Sequence, residues 1–167
     1  MTLHIEKLNR DHRVDSFDCG KEPLNRFLMR FALQAQLSGS SQTYLAVANE
    51  AVVGYYTLVF GDVGFDDAPE RLRKGMPRHP VPLMILARLA VSSDWIGKGI
   101  GSGLLKDAMI RTLAAADIAG LRAFAVHAKD DDARSFYQHF DFIESPSDPM
   151  HFFLLLKDLR LLLSAGS

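Results

Sequence analysis

Four glycines, Gly97, Gly99, Gly101 and Gly103, occupy alternate positions between the apolar run Leu89-Ala90-Val91 and a stretch that turns apolar again at Leu104-Leu105. Glycine reaches backbone conformations that other residues resist, and it puts no side chain in a ligand's way. Where such a loop opens a helix, the first-turn N–H groups lack partners and the helix dipole favours an anion. A diphosphate suits that site best. Lys98 either adds a charge to it or points to solvent. Two phosphate-loop schemes do not fit. A Walker-type loop ends in Gly-Lys-Ser/Thr, and no such triplet follows here. A dinucleotide fingerprint needs its third glycine three residues after the second, a position held here by Ser102 or Leu104. A glycine-rich turn with no ligand is the remaining alternative on spacing alone.

A second kind of chemistry is ionic. Arg26 and Arg30 share one segment, and Arg71, Arg73, Lys74 and Arg78 share another. The net charge of −1 argues against indiscriminate nucleic-acid binding but leaves room for a local basic patch. The plainer reading of each segment is a solvated face. The single cysteine, Cys19, excludes an internal disulfide and a cysteine-based metal cluster. Glu6 and Lys7 interrupt the apolar core an export signal would need, and the apolar runs are too short or too charged to cross a bilayer. A cytoplasmic protein with no membrane partner and no metal is expected.

The elements that must position these residues emerge from periodicity. Leu3 to Leu8 reads as a strand. Leu24, Phe27, Leu28, Phe31 and Ala35 recur at helical spacing, with Pro23 in the first turn. Tyr44 to Ala48 and Ala51 to Phe60 form strands joined by a tight Asn49-Glu50 hairpin, and the second is apolar on both faces, as in a central strand. Gly61 to Pro82 is polar, carries four of the seven prolines, and reads as a surface excursion with one helical turn near Pro69 to Arg73. Leu83 to Val91 is a strand, followed by the glycine loop. Leu104, Leu105, Ala108, Met109, Thr112 and Leu113 then mark one face of a helix of about four turns. Leu121 to Ala128 is a buried strand, Asp131 to His139 a short helix, Met150 to Leu156 a final strand, and Lys157 to Leu163 an amphipathic helical tail. This order predicts an α/β (α+β) domain over residues 1–167, one mixed, mostly antiparallel sheet with helices on both faces.

In this setting the glycine loop resembles motif A of the GNAT acyltransferase superfamily, Arg/Gln-x-x-Gly-x-Gly/Ala after a strand with an apolar-x-Val end. Gly99 and Gly101 match, and Ile96 stands at the Arg/Gln position. Ala133-Arg134-Ser135-Phe136-Tyr137 and Phe140-Asp141-Phe142 are similar to the family's Ala-x-x-Phe-Tyr and Gly-Phe, with Asp141 at the usual glycine and Asp130 where asparagine often sits. A narrower resemblance, to the GNAT toxins of bacterial type II toxin–antitoxin systems, rests on several segments. They are Phe17-Asp18-Cys19-Gly20, Leu24-Asn25-Arg26-Phe27-Leu28, Arg88-Leu89-Ala90-Val91, Phe142 and Ser145-Pro146-Ser147-Asp148-Pro149.

The resemblance implies a sheet with a splayed central strand pair, acetyl-CoA as co-substrate, and direct transfer to the α-amine of aminoacyl-tRNA. It also implies a ribbon-helix-helix antitoxin as partner. Cofactor contacts would fall on Leu89, Ala90 and Val91, on Gly97, Lys98, Gly99, Ile100, Gly101 and Ser102, and on Asp130, Ala133 and Phe136. Tyr137 would protonate the leaving thiolate or merely pack beneath the cofactor, and Arg26, Arg30, Arg71, Arg73, Lys74 and Arg78 would meet tRNA phosphates. For a base, Glu22, His127, His139 and His151 each qualify by type, while a structural role suits a histidine on an apolar strand, and the chemistry needs no dedicated base if water carries the proton away. No His–Asp arrangement around Cys19 is recognisable. Leu159, Leu161, Leu162 and Leu163 offer a face for a homodimer, for the antitoxin, or for packing on the same domain. The alternatives are an acetyltransferase of a small amine or protein N-terminus, and a non-catalytic acyl-CoA-binding module.

Overall fold

The computed structural model describes residues 3–165, so the ends of the expected 1–167 domain, residues 1–2 and 166–167, lie outside it. Its strands are β1 (Leu3–Lys7), β2 (Gln42–Ala48), β3 (Ala51–Val63), β4 (Val81–Val91), β5 (Ala123–His127), β6 (Ile143–Glu144) and β7 (His151–Leu155). Its helices are α1 (Glu22–Arg26), α2 (Ala32–Leu37), α3 (Glu70–Arg73), α4 (Ile100–Ala116), α5 (Asp131–His139) and α6 (Leu156–Ala165). The strands run in the order β1-β2-β3-β4-β5-β7-β6. β4 and β5 are parallel, whereas β1–β2, β2–β3, β5–β7 and β6–β7 are antiparallel. This is the mixed, mostly antiparallel sheet that the element order predicts. Among the described residues no helix is long and apolar enough to cross a membrane.

By its contacts the chain divides into two compact units, Met1–Val59 with Ala87–Ala108, and Phe60–Leu86 with Met109–Ser167. In the first, Asn49 and Glu50 take φ of 52° and 65°, the paired positive values of a tight hairpin turn whose twist matches that of the strands. The core gathers around Tyr55. Its ring meets Phe17 edge-on at 5.6 Å and stacks on Phe27 at 6.4 Å, and its hydroxyl donates to the Leu24 carbonyl at 2.7 Å.

Between α1 and α2 the helix widens into a π-turn over Phe27–Phe31, where the Ala32 N–H bonds to Phe27 O, five residues back. The extra residue rotates the downstream helix by about 100°, one residue's share of a helical turn. Phe27, Leu28 and Ala32 are therefore buried while Phe31 is 54% exposed. The even stripe expected through Phe31 breaks there.

In the second unit β4 pairs with β5 from Leu83↔Ala123 to Leu86↔Val126, and β5 pairs with β7 from Ala123↔Leu155 to His127↔His151. The excursion after β3 is short on regular structure but not on packing. Val63, Ala68, Leu72 and Val81 bury against Leu83, Ala123, Ala125, Phe153 and Leu155. Arg122 Nε donates to Leu72 O at 2.8 Å and so ties α3 to the start of β5. The two-residue β6 was not legible in the sequence, because a pair of residues carries no period.

Candidate functional site

The glycine loop belongs to the first unit. After β4 comes one tight turn, Ser93–Trp95, and α4 starts at Ile100. Gly97 and Gly99 have φ of 83° and 81°, the left-handed region. A Cβ on either would meet nothing within 4 Å, so glycine is required there by backbone conformation and not by crowding. The Gly103 N–H closes the first turn of α4 onto Gly99 O at 3.0 Å. The N–H groups of Ile100, Gly101 and Ser102 belong to that turn and are the donors a helix leaves for an anion. Ile100 is buried and anchors the turn, whereas Gly97, Lys98, Gly99 and Ser102 are exposed. Lys98 Nζ lies 4.7 Å from the Trp95 ring centroid, and Ile96 is 67% exposed.

Two supports hold this loop, and neither is in it. On β3, a Cβ at Gly54 would lie 2.9 Å from Leu104 Cδ1, 3.0 Å from Ala90 O and 3.1 Å from Ile100 Cγ2. The start of α4 packs on β3 only because position 54 has no side chain. A lone glycine inside a strand pattern was the available signal. Tyr56 adds a bond from its hydroxyl to Asp107 Oδ2 at 2.6 Å. The second support is the Phe17-Asp18-Cys19-Gly20 segment. Asp18 Oδ1 accepts from the Gly20 N–H at 2.8 Å and from Asn25 Nδ2 at 2.9 Å. The Gly20 amide, and after it Asn25, hold that carboxyl below the usual aspartate range. From this clasp Asp18 O accepts the Ser93 N–H at 2.9 Å, while Val53 O accepts the Ser92 N–H at 2.8 Å. Those two bonds fix the point where the chain leaves β4. On β4 itself, Leu89 and Val91 are half-buried and Ala90 is buried, and the Arg88 guanidinium covers the Phe27 ring at 3.7 Å.

Tyr137 belongs to the second unit, on α5. It is 5% exposed, edge-on to Phe136 at 5.2 Å and tilted against Phe142 at 5.7 Å. Burial pushes its pKa upward, so the phenol keeps its proton throughout the neutral range. Asp130 caps the helix, its Oδ1 accepting the Ala133 N–H at 2.8 Å, which gives the carboxylate a structural task. Ala133 and Phe136 are half-buried. Asp141, at the family's glycine position, has φ 62° and adopts the left-handed conformation itself. The Ser145–Pro149 segment is clamped: Arg134 donates to Glu144 Oε1 at 2.7 Å and Pro149 O at 3.1 Å, and Ser147 Oγ donates to Asp67 Oδ1 at 2.8 Å.

The four base candidates separate. Glu22 faces Arg26 at 3.8 Å in the first unit. His139 lies edge-on to Phe140 at 5.2 Å. His151 is half-buried with its pKa lowered, chiefly by burial. His127 bonds Asp148 Oδ2 through Nε2 at 3.0 Å. Cys19 is a free thiol whose Sγ lies 3.6 Å from Lys21 O.

The expected basic patch divides as well. Arg26 and Arg30 lie in the first unit. In the second, Arg73 and Arg78 sit over the Phe65 ring at 5.6 and 5.2 Å, and Arg78 pairs with Asp66 at 3.2 Å. Arg71 and Lys74 instead line a cavity of about 450 Å³ with Arg122, Lys157 and Arg160. Asp158 pairs with Arg71 at 2.8 Å. Five cations line this hollow, with Arg71 held by Asp158 and Arg122 by the carbonyls of Leu72 and Lys74. Arg122, Lys157 and Arg160 were missed because they lie some fifty to ninety positions from Arg71 in sequence.

The acetyltransferase (GNAT) domain family matches residues 39–144. A tRNA-acetylating toxin of Mycobacterium tuberculosis is 47% identical over 150 residues, which cover 90% of each chain. Among solved structures, AtaT complexed with acetyl-methionyl-tRNAfMet has a TM-score of 0.89 at 28% identity, over 96% of this chain and 99% of that one. A tyrosine-to-phenylalanine mutant of the AtaT toxin, bound to the C-terminus of the antitoxin AtaR and acetyl-CoA, has a TM-score of 0.83 at 26% identity, over 98% of this chain and 99% of that one.

Proposed function

The chain belongs to the GNAT acetyltransferase family, and on that premise we propose that it transfers acetyl from acetyl-CoA to the α-amine of an aminoacyl-tRNA, as the toxin of a toxin–antitoxin pair. One observation carries the reading. Identity with a tRNA-acetylating toxin runs over nine-tenths of both chains, so it covers more than the loop that all acetyl-CoA enzymes of this kind need.

The residues fit such a co-substrate. Open space over Gly97 and Gly99 admits a diphosphate to the amides that run from Gly97 to Ser102. The backbone of Leu89, Ala90 and Val91 would pair with the amides of the pantetheine arm as an added strand does. Acetyl-CoA brings an acyl group already activated as a thioester. What the protein adds is chiefly orientation of the amine toward that carbon. Tyr137, protonated at neutral pH, donates to the departing sulfur. An amine beside an ester carbonyl is less basic than that of a free amino acid, so a good share of it is already neutral near pH 7.

The cations around Arg71 and Lys74 would meet phosphates of the tRNA. A ribbon-helix-helix antitoxin, a cytoplasmic location and one catalytic domain over 1–167 belong to the same reading. So does a homodimer or antitoxin contact through the tail, where Leu159 is buried in its own unit and Leu161 is 68% exposed.

The test is incubation with labelled acetyl-CoA and a pool of charged tRNA. Label is expected on the amino acid esterified to tRNA, and label found only on free amines or protein N-termini would sink the proposal. Replacing Lys74, Lys157 and Arg160 together by alanine is expected to lower transfer to tRNA and flatten its salt dependence, by about 0.7 in the log–log slope for each single-strand phosphate no longer neutralised. Acetyl-CoA affinity should stay unchanged.

A further inference from the structure

Acetyl transfer to an amine leaves a proton to be placed. The new N–C bond forms as the C–S bond breaks, the thiolate takes one proton, and the nitrogen must shed one to become an amide. Tyr137 serves the sulfur, so the proton on nitrogen passes either to water or to a second side chain. We infer that His127, oriented by Asp148, accepts the proton from the attacking amine, an inference that rests on the chain acting as an amine acetyltransferase.

The second unit supplies the geometry. The β4–β5 ladder ends at Leu86↔Val126, and His127 is the next residue, the last of β5. The four residues before it are buried, whereas the His127 side chain is 59% exposed. An imidazole at the opening of a parallel ladder is thus reachable from solvent. Its Nε2 is committed to Asp148 Oδ2 at 3.0 Å, and Asp148 Oδ1 accepts the Met150 N–H at 2.9 Å. A carboxylate on Nε2 selects the tautomer with its proton there, so Nδ1 carries the free lone pair. Asp148 is not a wandering surface residue, because Arg134 and Ser147 pin the segment that bears it on either side. The other titratable groups nearby are His151, whose ring lies 5.7 Å from that of His127 across the β5–β7 pair, and Asp67, which acts on His151 from the segment before α3.

The two sides of β5 divide the work. Phe124 touches Phe142 at 6.0 Å, and Phe142 touches Tyr137. Side chains alternate along a strand, so residue 127 faces away from the side that residue 124 shares with Tyr137. A proton donor on one face and a proton acceptor on the other suit a reaction in which sulfur leaves and nitrogen arrives from different directions. After transfer, the imidazolium gives its proton to water and the Tyr137 phenolate takes one back from water, which restores both side chains. The net change is amine plus thioester to amide plus thiol.

The rival reading is a surface His–Asp contact that only steadies the 145–149 segment. The full-length protein with acetyl-CoA and its acceptor distinguishes the two. His127→Ala and His127→Gln are both expected to lower kcat by about 10²-fold, with acetyl-CoA affinity by calorimetry within twofold of wild type. Added imidazole should restore part of the rate to His127→Ala and none to Tyr137→Phe. Asp148→Asn should lose less, about tenfold, and imidazole should not help it. A structural role predicts instead that His127→Gln, whose side-chain amide can still donate to Asp148, regains wild-type turnover, and that outcome overturns the inference. So does a His127→Ala enzyme within threefold of wild type, or one that imidazole leaves unchanged. Should the wild-type enzyme acetylate a small amine and not charged tRNA, the tRNA proposal fails, while the same variants assayed on that amine still decide the role of His127.

Discussion

The loop after β4 and the segment around α5 are both short, but they are built on opposite plans. The loop presents backbone: Gly97, Gly99 and the first amides of α4, with Lys98 lying against Trp95 and Ile96 turned to solvent. Its precision comes from outside, through the missing side chain at Gly54 and the clasp of Asp18 onto Ser93. Around α5 the chain presents side chains instead: Tyr137 in an aromatic wall, Arg134 on two acceptors, and His127 on Asp148. A ligand held by main-chain groups tolerates side-chain drift in its loop but not in the loop's supports. A reaction run by side chains tolerates neither.

The largest expected effect tests the side-chain half. Tyr137→Phe should reduce kcat by about 10²-fold or more while leaving acetyl-CoA affinity within twofold in calorimetry. Equal losses in both would place Tyr137 in binding and dissolve the contrast. Next comes the loop's hidden support. Gly54→Ala should destabilise the fold by about 1–3 kcal/mol through overpacking, a drop of several degrees in Tm. The reason is that Ala90 O is backbone and cannot yield as a side-chain end can. An unchanged Tm with unchanged acetyl-CoA binding would mean that α4 does not depend on this close approach. The smallest effect is Lys98→Ala. Its cation–π contact with Trp95 is exposed and worth about 0.5–1 kcal/mol, so acetyl-CoA affinity should fall by less than about fivefold. A larger loss would make the loop a side-chain site after all.

What could be read from the residues alone was what neighbours along the chain decide. The Asn49-Glu50 hairpin, the Asp131–His139 helix and the glycine loop opening α4 each depend on a few consecutive residues, so local conformational preference was enough. The tertiary structure decided what depends on residues far apart. The π-turn that expels Phe31 forms where Phe27 and Leu28 pack against the first unit's core. The basic hollow draws Arg122, Lys157 and Arg160 to Arg71 and Lys74 from distant positions. His127 acquires Asp148 across 21 positions of chain. Contact between such residues is a property of the folded chain, because no local period or propensity encodes which side chains the sheet register will bring face to face.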